Sequence, residues 1–460
     1  MQGVSLPDIL ALLPTGHTAL LLVLWGKVWY DVPVSRSRYL FILIIVGVLA
    51  VGLGLLVLPT LIRALPGRYA YYLPEPFQAW RHQPHPDILP TPISSPIAVT
   101  TAPPLSPTLP PTEPPKQPTD TPTASPTTIP TPIPTATPLP PPVRFALEGV
   151  RHEHQGWNNC GPTTLAMALS YWGRSETQYD VAPVLKPDPE DKNVSLWEME
   201  NYVHELGLGG ITRVGGSLET LQALVRAGFP VIVETWYVRE ATDQMGHYRL
   251  VVGYDDGQAQ FVTYDSLHGP DVPVGYREMD ELWRVFNRAY LVVYPLEKWG
   301  LLSAVLGDTV YDSLMYAEAL ATAYDELDHP PAACVAYADC ADWEAFSWFN
   351  IGSSLTSLGR HTEAAPAYDQ ARKAGLPYRM LWYQFGPYES YYAVGRYQDV
   401  IVLTDATLAT AANLEESYYW RGMARLALGD RAGAMADFEA ALHYHPGWLP
   451  ASDALAGLRE

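Results

Sequence analysis

Gln155-Gly-Trp-Asn-Asn-Cys160-Gly-Pro-Thr-Thr-Leu-Ala-Met167 is the stretch on which the reading of this 460-residue chain turns. A cysteine stands where an irregular segment meets the apolar run Leu165, Ala166, Ala168, Leu169, and Pro162 suits the first turn of a helix. The thiol is thereby placed at a helix N-terminus. Unpaired backbone N–H groups and the positive end of the helix dipole favour thiolate over thiol there, the form a nucleophile needs. Gln155, upstream of it, offers an amide donor for an oxyanion.

A cysteine nucleophile needs a base and a group to orient it. Downstream, Gly246-His247-Tyr-Arg-Leu-Val-Val-Gly253-Tyr254-Asp255-Asp256 is followed by Gln260-Phe-Val-Thr-Tyr264-Asp265, two alternating apolar runs around Asp256-Gly257, a hairpin signal. His247 is expected to open one strand and Asp265 to close its neighbour, so imidazole and carboxylate meet at one end of an antiparallel pair. Asp255 and Asp256 stand as competitors for the orienting role.

The order glutamine, Cys-Gly-Pro opening a helix, Gly-His before Val-Val-Gly-Tyr, then aspartate on the next strand resembles the papain-like cysteine peptidases of the bacteriocin-processing, double-glycine-leader type and their free-standing relatives. The resemblance covers residues 145–295. It implies Cys160 as nucleophile, His247 as general base and acid, Asp265 as orienter and Gln155 as oxyanion donor, with acyl transfer to water through a thioester. No ATP-binding cassette or Walker motif follows, so the substrate of the transporter-fused members is not carried over.

His152 and His154 share a strand face, but no third ligand with zinc-like spacing accompanies them, so no metal and no cofactor is expected. Gly207-Leu-Gly-Gly210 and Gly215-Gly216 lack the Lys-Ser/Thr ending of a phosphate loop and read as turns. Helices are expected over 161–172, 196–206 and 218–227, a long loop around 186–191, then strands at 230–234, the His247 hairpin and 290–294. That is an α+β layout with a cleft between helices and sheet. Trp157, Trp236 and Tyr237 either line the cleft or belong to the core.

Before this domain, residues 39–62 carry no charge and are long enough to cross a bilayer as a helix. Lys27, Arg36 and Arg38 precede it while Arg63 and Arg68 follow, a lean toward a cytoplasmic N-terminus. Residues 6–30 are also apolar but interrupted by Pro14 and Gly16, either a second span or an interfacial helix. Residues 84–143 then hold 22 of the chain's 44 prolines, a disordered linker whose stretch 91–142 alone, at about 3.1 Å per residue in polyproline II, would carry a domain roughly 160 Å from the membrane.

Beyond Lys298, Gly359-Arg-His-Thr-Glu, Gly395-Arg-Tyr-Gln-Asp and Gly429-Asp-Arg-Ala-Gly recur 36 and 34 residues apart, each before an apolar helix. This is similar to tetratricopeptide repeats. Trp348, Gly352, Ala364, Tyr368 and Ala371 match in the first unit, and Gly422, Ala434, Phe438, Ala441 and Pro446 in the last. In the middle unit Tyr388 replaces the early glycine and Pro387 interrupts the first helix. Tyr388, Tyr391, Tyr392 and Tyr397 either line a partner-binding groove or pack between helices, and a helix over 309–327 is expected to bridge to the domain before it.

Cys334 and Cys340 are either a local disulfide or two free thiols. A formal net charge of -20 argues against nucleic-acid binding. The order is therefore an N-terminal segment (1–38), a transmembrane helix (39–62), the linker (84–143), a papain-like α+β domain (144–297) and an all-α tetratricopeptide solenoid (305–460). The expected function is a membrane-anchored, extracytoplasmic cysteine peptidase whose repeats bind a protein or peptide. The alternatives are a non-catalytic peptide-binding scaffold on a papain-like fold, or a thioester-forming transferase.

Overall fold

The computed structural model describes residues 142–459 apart from 241, 242, 337–339 and 341, together with 87–93 and scattered positions between 45 and 73. Most of the expected membrane helix and most of the proline-rich linker fall outside these residues. No helix among the described residues is long and apolar enough to cross a membrane.

The sheet-bearing half runs β1 Arg144–Ala146, α1 Cys160–Tyr171, α2 Gln178–Leu185, α3 Leu196–Glu205, β2 Gly209–Arg213, α4 Leu218–Arg226, β3 Val231–Glu240, β4 Asp243–Asp255, β5 Gln260–Asp265, β6 Gly269–Gly275, α5 Tyr276–Trp283 and β7 Tyr290–Tyr294. The strands make one antiparallel sheet in the order β2-β7-β3-β4-β5-β6, with β1 beside the far end of β4. Nine consecutive residues of α1, from Gly161 to Leu169, are buried, which is why that stretch is apolar or small on every side.

Two stretches differ from the sequence reading. Residues 178–185 form α2 rather than loop, because Asp180 accepts hydrogen bonds from the Thr177 N–H and hydroxyl, each at 2.8 Å, and so starts a helix that Pro183 does not prevent. Gly209 and Gly210 lie in β2 rather than in a turn. A Cβ on Gly209 would stand 2.3 Å from the Tyr294 ring of β7, so this glycine serves a close approach of strand to aromatic ring.

The helical half adds α6 Trp299–Leu306, α7 Asp312–Asp328, and the pairs α8 Trp343–Ser357 with α9 His361–Lys373, α10 Gly386–Ala393 with α11 Tyr397–Thr410, and α12 Glu415–Ala427 with α13 Arg431–Tyr444, ending in α14 Leu449–Arg459. The repeat positions have a steric origin. A Cβ on Gly352 would sit 2.6 Å from the Tyr368 ring, and one on Gly422 2.7 Å from Phe438. Pro387 does not interrupt a helix; it lies in the first turn of α10, where a missing N–H is harmless. Tyr388 and Tyr391 are fully buried, donating to Thr407 Oγ1 (2.7 Å) and Asp369 Oδ1 (2.8 Å), so they pack between helices rather than line a groove.

The two halves are not separate modules. One continuous apolar core includes Val231, Leu250 and Phe286 of the first and Phe346, Tyr368 and Tyr391 of the second. Arg284, wholly buried, crosses the joint: its guanidinium lies over the Trp343 ring and donates to Glu326 Oε2 (3.1 Å) and Ser347 Oγ (2.7 Å). α7 bridges as expected, since Glu326 on it also meets Arg288 at 2.6 Å.

Part of the expected linker is seated on the repeats. Leu89 is buried, its N–H donates to the Leu376 carbonyl at 2.9 Å, and the Tyr378 N–H donates to the Asp87 carbonyl. Arg372 Nε donates to the Pro90 carbonyl at 2.7 Å, and the Ile93 N–H to Asp399 Oδ1 at 3.2 Å. At the other end, Tyr254 donates to the Pro142 carbonyl and β1 joins β4. The chain is thus held on the folded unit at 87–93 and again at 142–146, so residues 87–93 belong to that unit and not to the expected linker.

Candidate active site

Cys160 is the first residue of α1 and the free cysteine among the described residues. The turn before it holds Asn158 at φ +52°, a conformation asparagine tolerates better than most side chains. Gln178 of α2, 1% exposed, holds that turn from the other side. Its Oε1 accepts from the Gly156 N–H (2.6 Å) and Asn159 Nδ2 (3.0 Å), while its Nε2 donates to Glu153 Oε1 and the His154 carbonyl, both at 2.7 Å. Gly161 is small for a reason: a Cβ there would lie 3.2 Å from Val194 and 3.4 Å from the Tyr248 ring, so helix and sheet meet closely beside the thiol.

The Tyr248 and Gly161 backbone N–H groups and the Lys186 ammonium favour a thiolate at Cys160, but burial outweighs them and pushes the thiol up. Placement at a helix start alone would have lowered it; desolvation is the larger effect here. Lys186 itself is buried and donates to the carbonyls of Trp157, Pro189 and Asp191, closing the loop expected around 186–191 over the Cys160 turn.

His247 lies on β4, the strand neighbour of Tyr248. It does not open its strand: β4 begins at Asp243, and His247 pairs with Thr235 of β3. Asp265, the last residue of β5, faces Arg249, so imidazole and carboxylate are diagonal neighbours on one face. His247 Nε2 lies 3.0 Å from Asp265 Oδ1, and Nδ1 makes no hydrogen bond among the described residues. Asp265 Oδ1 also accepts from the Leu267 (2.8 Å) and His268 (3.2 Å) N–H groups, and Oδ2 from Arg249 Nε at 3.1 Å. Burial alone would raise this carboxyl, but His247 and Arg249 together hold it well below the usual carboxylate range. Burial also lowers the His247 imidazole, against the pull of Asp265.

The competitors lie at the far end of the hairpin. Asp255 accepts from the Gln258 N–H and Nε2, and Asp256 from Tyr276 and Gln222. Gln155 is tied to the residue after Asp265: its N–H donates to the Ser266 carbonyl (2.9 Å) and its Oε1 accepts from Ser266 Oγ (2.8 Å), leaving the Nε2 end without a hydrogen bond among the described residues. His152 Nε2 meets the Asp265 carbonyl at 2.9 Å.

A cavity of about 350 Å³ opens beside the pair, lined among others by Tyr237, Arg249, Asp265, His268 and Ala336. Ala336 belongs to the loop that the Cys334–Cys340 disulfide closes, and its N–H and that of Val335 donate to Glu281 Oε2. The repeat region also approaches the site, because Tyr383 packs on Gly246 and is close enough to Cys160 for a charge there to raise its own phenol. Trp236 does both, lining the cavity while its ring packs with Phe286, Phe346 and Tyr383.

Residues 147–293 match the Peptidase_C39 like family, and residues 347–373 and 416–447 each match tetratricopeptide repeat models. The chain thus carries a C39-peptidase-like domain followed by tetratricopeptide repeats. No curated protein matches it. Among solved structures, a Bacillus anthracis protein described as a C39-like peptidase aligns at 19% identity over 33% of this chain and 96% of its own, with a TM-score of 0.26, too slight a likeness to bear on the chemistry.

Proposed function

We propose that residues 144–297 act as a cysteine peptidase, with the repeats holding the protein or peptide to be cut. The observation that carries this is the buried His247–Asp265 pair, whose Nδ1 remains open on the strand that packs against the Cys160 turn. In this reading Cys160 Sγ attacks the scissile carbonyl carbon as its proton passes to His247 Nδ1. The oxyanion takes a hydrogen bond from Gln155 Nε2, the amine leaves with the proton, and water, deprotonated by His247, hydrolyses the thioester. Asp265 fixes the tautomer that leaves Nδ1 as the acceptor.

We further infer that the uncharged stretch 39–62 anchors the chain in a membrane with the folded unit on the outer side; the disulfide of Cys334 and Cys340 supports an oxidising compartment. The test of the chemistry is turnover of a peptide library by the purified full chain. Cys160→Ala is expected to reduce it to background and His247→Ala to reduce it about as far, since members of one relay are not additive. Gln155→Ala is expected to cost about 10²–10³ in kcat. Turnover that survives Cys160→Ala overturns the assignment.

A further inference from the structure

At the joint between α3 and the last repeat pair, three ligand-type side chains converge. One oxygen each of Glu198 on α3 and Glu415 at the start of α12, and a ring nitrogen of His445 just after α13, all lie within 4.8 Å of one another. Glu198 Oε2 is engaged by the Ser195 N–H and hydroxyl, each at 2.8 Å, while its Oε1 carries no hydrogen bond among the described residues. Glu415 Oε1 meets His445 Nδ1 at 2.7 Å.

A second observation points into the same place. Glu416, 8% exposed, keeps its Oε2 buried with no hydrogen-bond partner among the described residues, while its Oε1 accepts from Asn193 Nδ2 at 3.4 Å, and the charges of Glu415, Glu198 and Asp191 all act on it. A buried carboxylate among other carboxylates is costly unless a proton or a cation neutralises it. The neighbouring cations do not: Lys186 is held by three backbone carbonyls, and His445 is one imidazole against four acids.

We propose that Glu198, Glu415 and His445 bind a transition-metal dication of the zinc type, with water in the fourth position. Two carboxylates and an imidazole suit such an ion, whereas calcium and magnesium take oxygen ligands alone. Bond lengths of about 2.0–2.2 Å require the three ligand atoms to draw closer around the ion. The ion clamps the last repeat pair to α3 and is independent of the peptidase reading.

The test uses full-length Cys160→Ser protein, in which the thiol no longer competes for metal. After equilibration with zinc and dialysis, elemental analysis is expected to find about one equivalent retained, with a raised melting temperature. Glu415→Gln and His445→Gln are each expected to lose both effects. Glu415→Gln keeps the side-chain shape and relieves repulsion, so it folds, and its melting temperature without zinc verifies this. His152→Gln combined with His154→Gln is expected to leave uptake unchanged. No retained zinc, or uptake that survives Glu415→Gln and His445→Gln, or uptake lost only in the His152, His154 double variant, overturns the proposal.

Discussion

Burial pushes the Cys160 thiol up and the His247 imidazole down, so the free protein at neutral pH holds an uncharged pair rather than a preformed thiolate and imidazolium. Alkylation of Cys160 by iodoacetamide should therefore climb through alkaline pH; a plateau extending below neutrality would contradict this. Glu234, facing the same turn from β3, sharpens the expectation. Burial pushes its carboxyl up to about 8, so it is protonated at neutral pH and becomes an anion near the thiol only above that. Glu234→Gln should speed alkylation above pH 8 and leave it unchanged near pH 6. The folded state holds a proton there that the unfolded chain releases at the ordinary carboxyl value, so stability falls as pH rises from that value through about 8. The same variant should thus gain melting temperature over wild type at pH 8 and not at pH 4. Cys160, His247, Asp265 and Gln155 were legible because each sits in a local pattern: a helix start, a hairpin, a motif order. The side chains that set their electrostatics, Lys186, Arg249 and Glu234, carry no such pattern, because their roles arise only when loop, sheet and helix are packed.

At the scale of elements, α2 shows what local reading misses. A segment with an internal proline reads as loop, yet its first residue, Gln178, makes four hydrogen bonds to the turn that presents Cys160. Gln178→Leu leaves the Gly156 N–H, the Asn159 amide and the His154 carbonyl without that partner, at about 1–3 kcal/mol for each group left buried and unpaired. A lowered urea midpoint with unchanged m-value is expected, together with a lower kcat as the turn loosens; wild-type values of both would show that the turn holds itself. β2 was hidden for a related reason: the clash that excludes any side chain at Gly209 involves a tyrosine on β7, 85 positions away. Where the deciding neighbour was near in sequence, as in the Asp256-Gly257 hairpin and the helix pairs of the repeats, element type was readable.

For the whole molecule, the joined core makes the repeats part of the same folded body as the candidate site rather than a detachable adaptor, and the segment 87–93 is seated on those repeats. A protease cut within 94–141 should leave the N-terminal piece bound to the folded unit on size exclusion. Leu89→Asp, which puts a charge where a leucine is buried at a cost of about 3 kcal/mol or more, should let it go; prompt release from wild-type protein would contradict the seating of 87–93. The role of Cys160 as a nucleophile served by His247 is open to a direct test, labelling by a peptide-based electrophile such as a peptidyl vinyl sulfone. Peptide mapping of the intact chain is predicted to find the adduct on Cys160, formed much faster than by a simple alkylating agent of equal reactivity and slowed at least a hundredfold, on the order expected for loss of general-base catalysis, in His247→Ala. An adduct that forms no faster than with the simple reagent, or equally fast in His247→Ala, would contradict it.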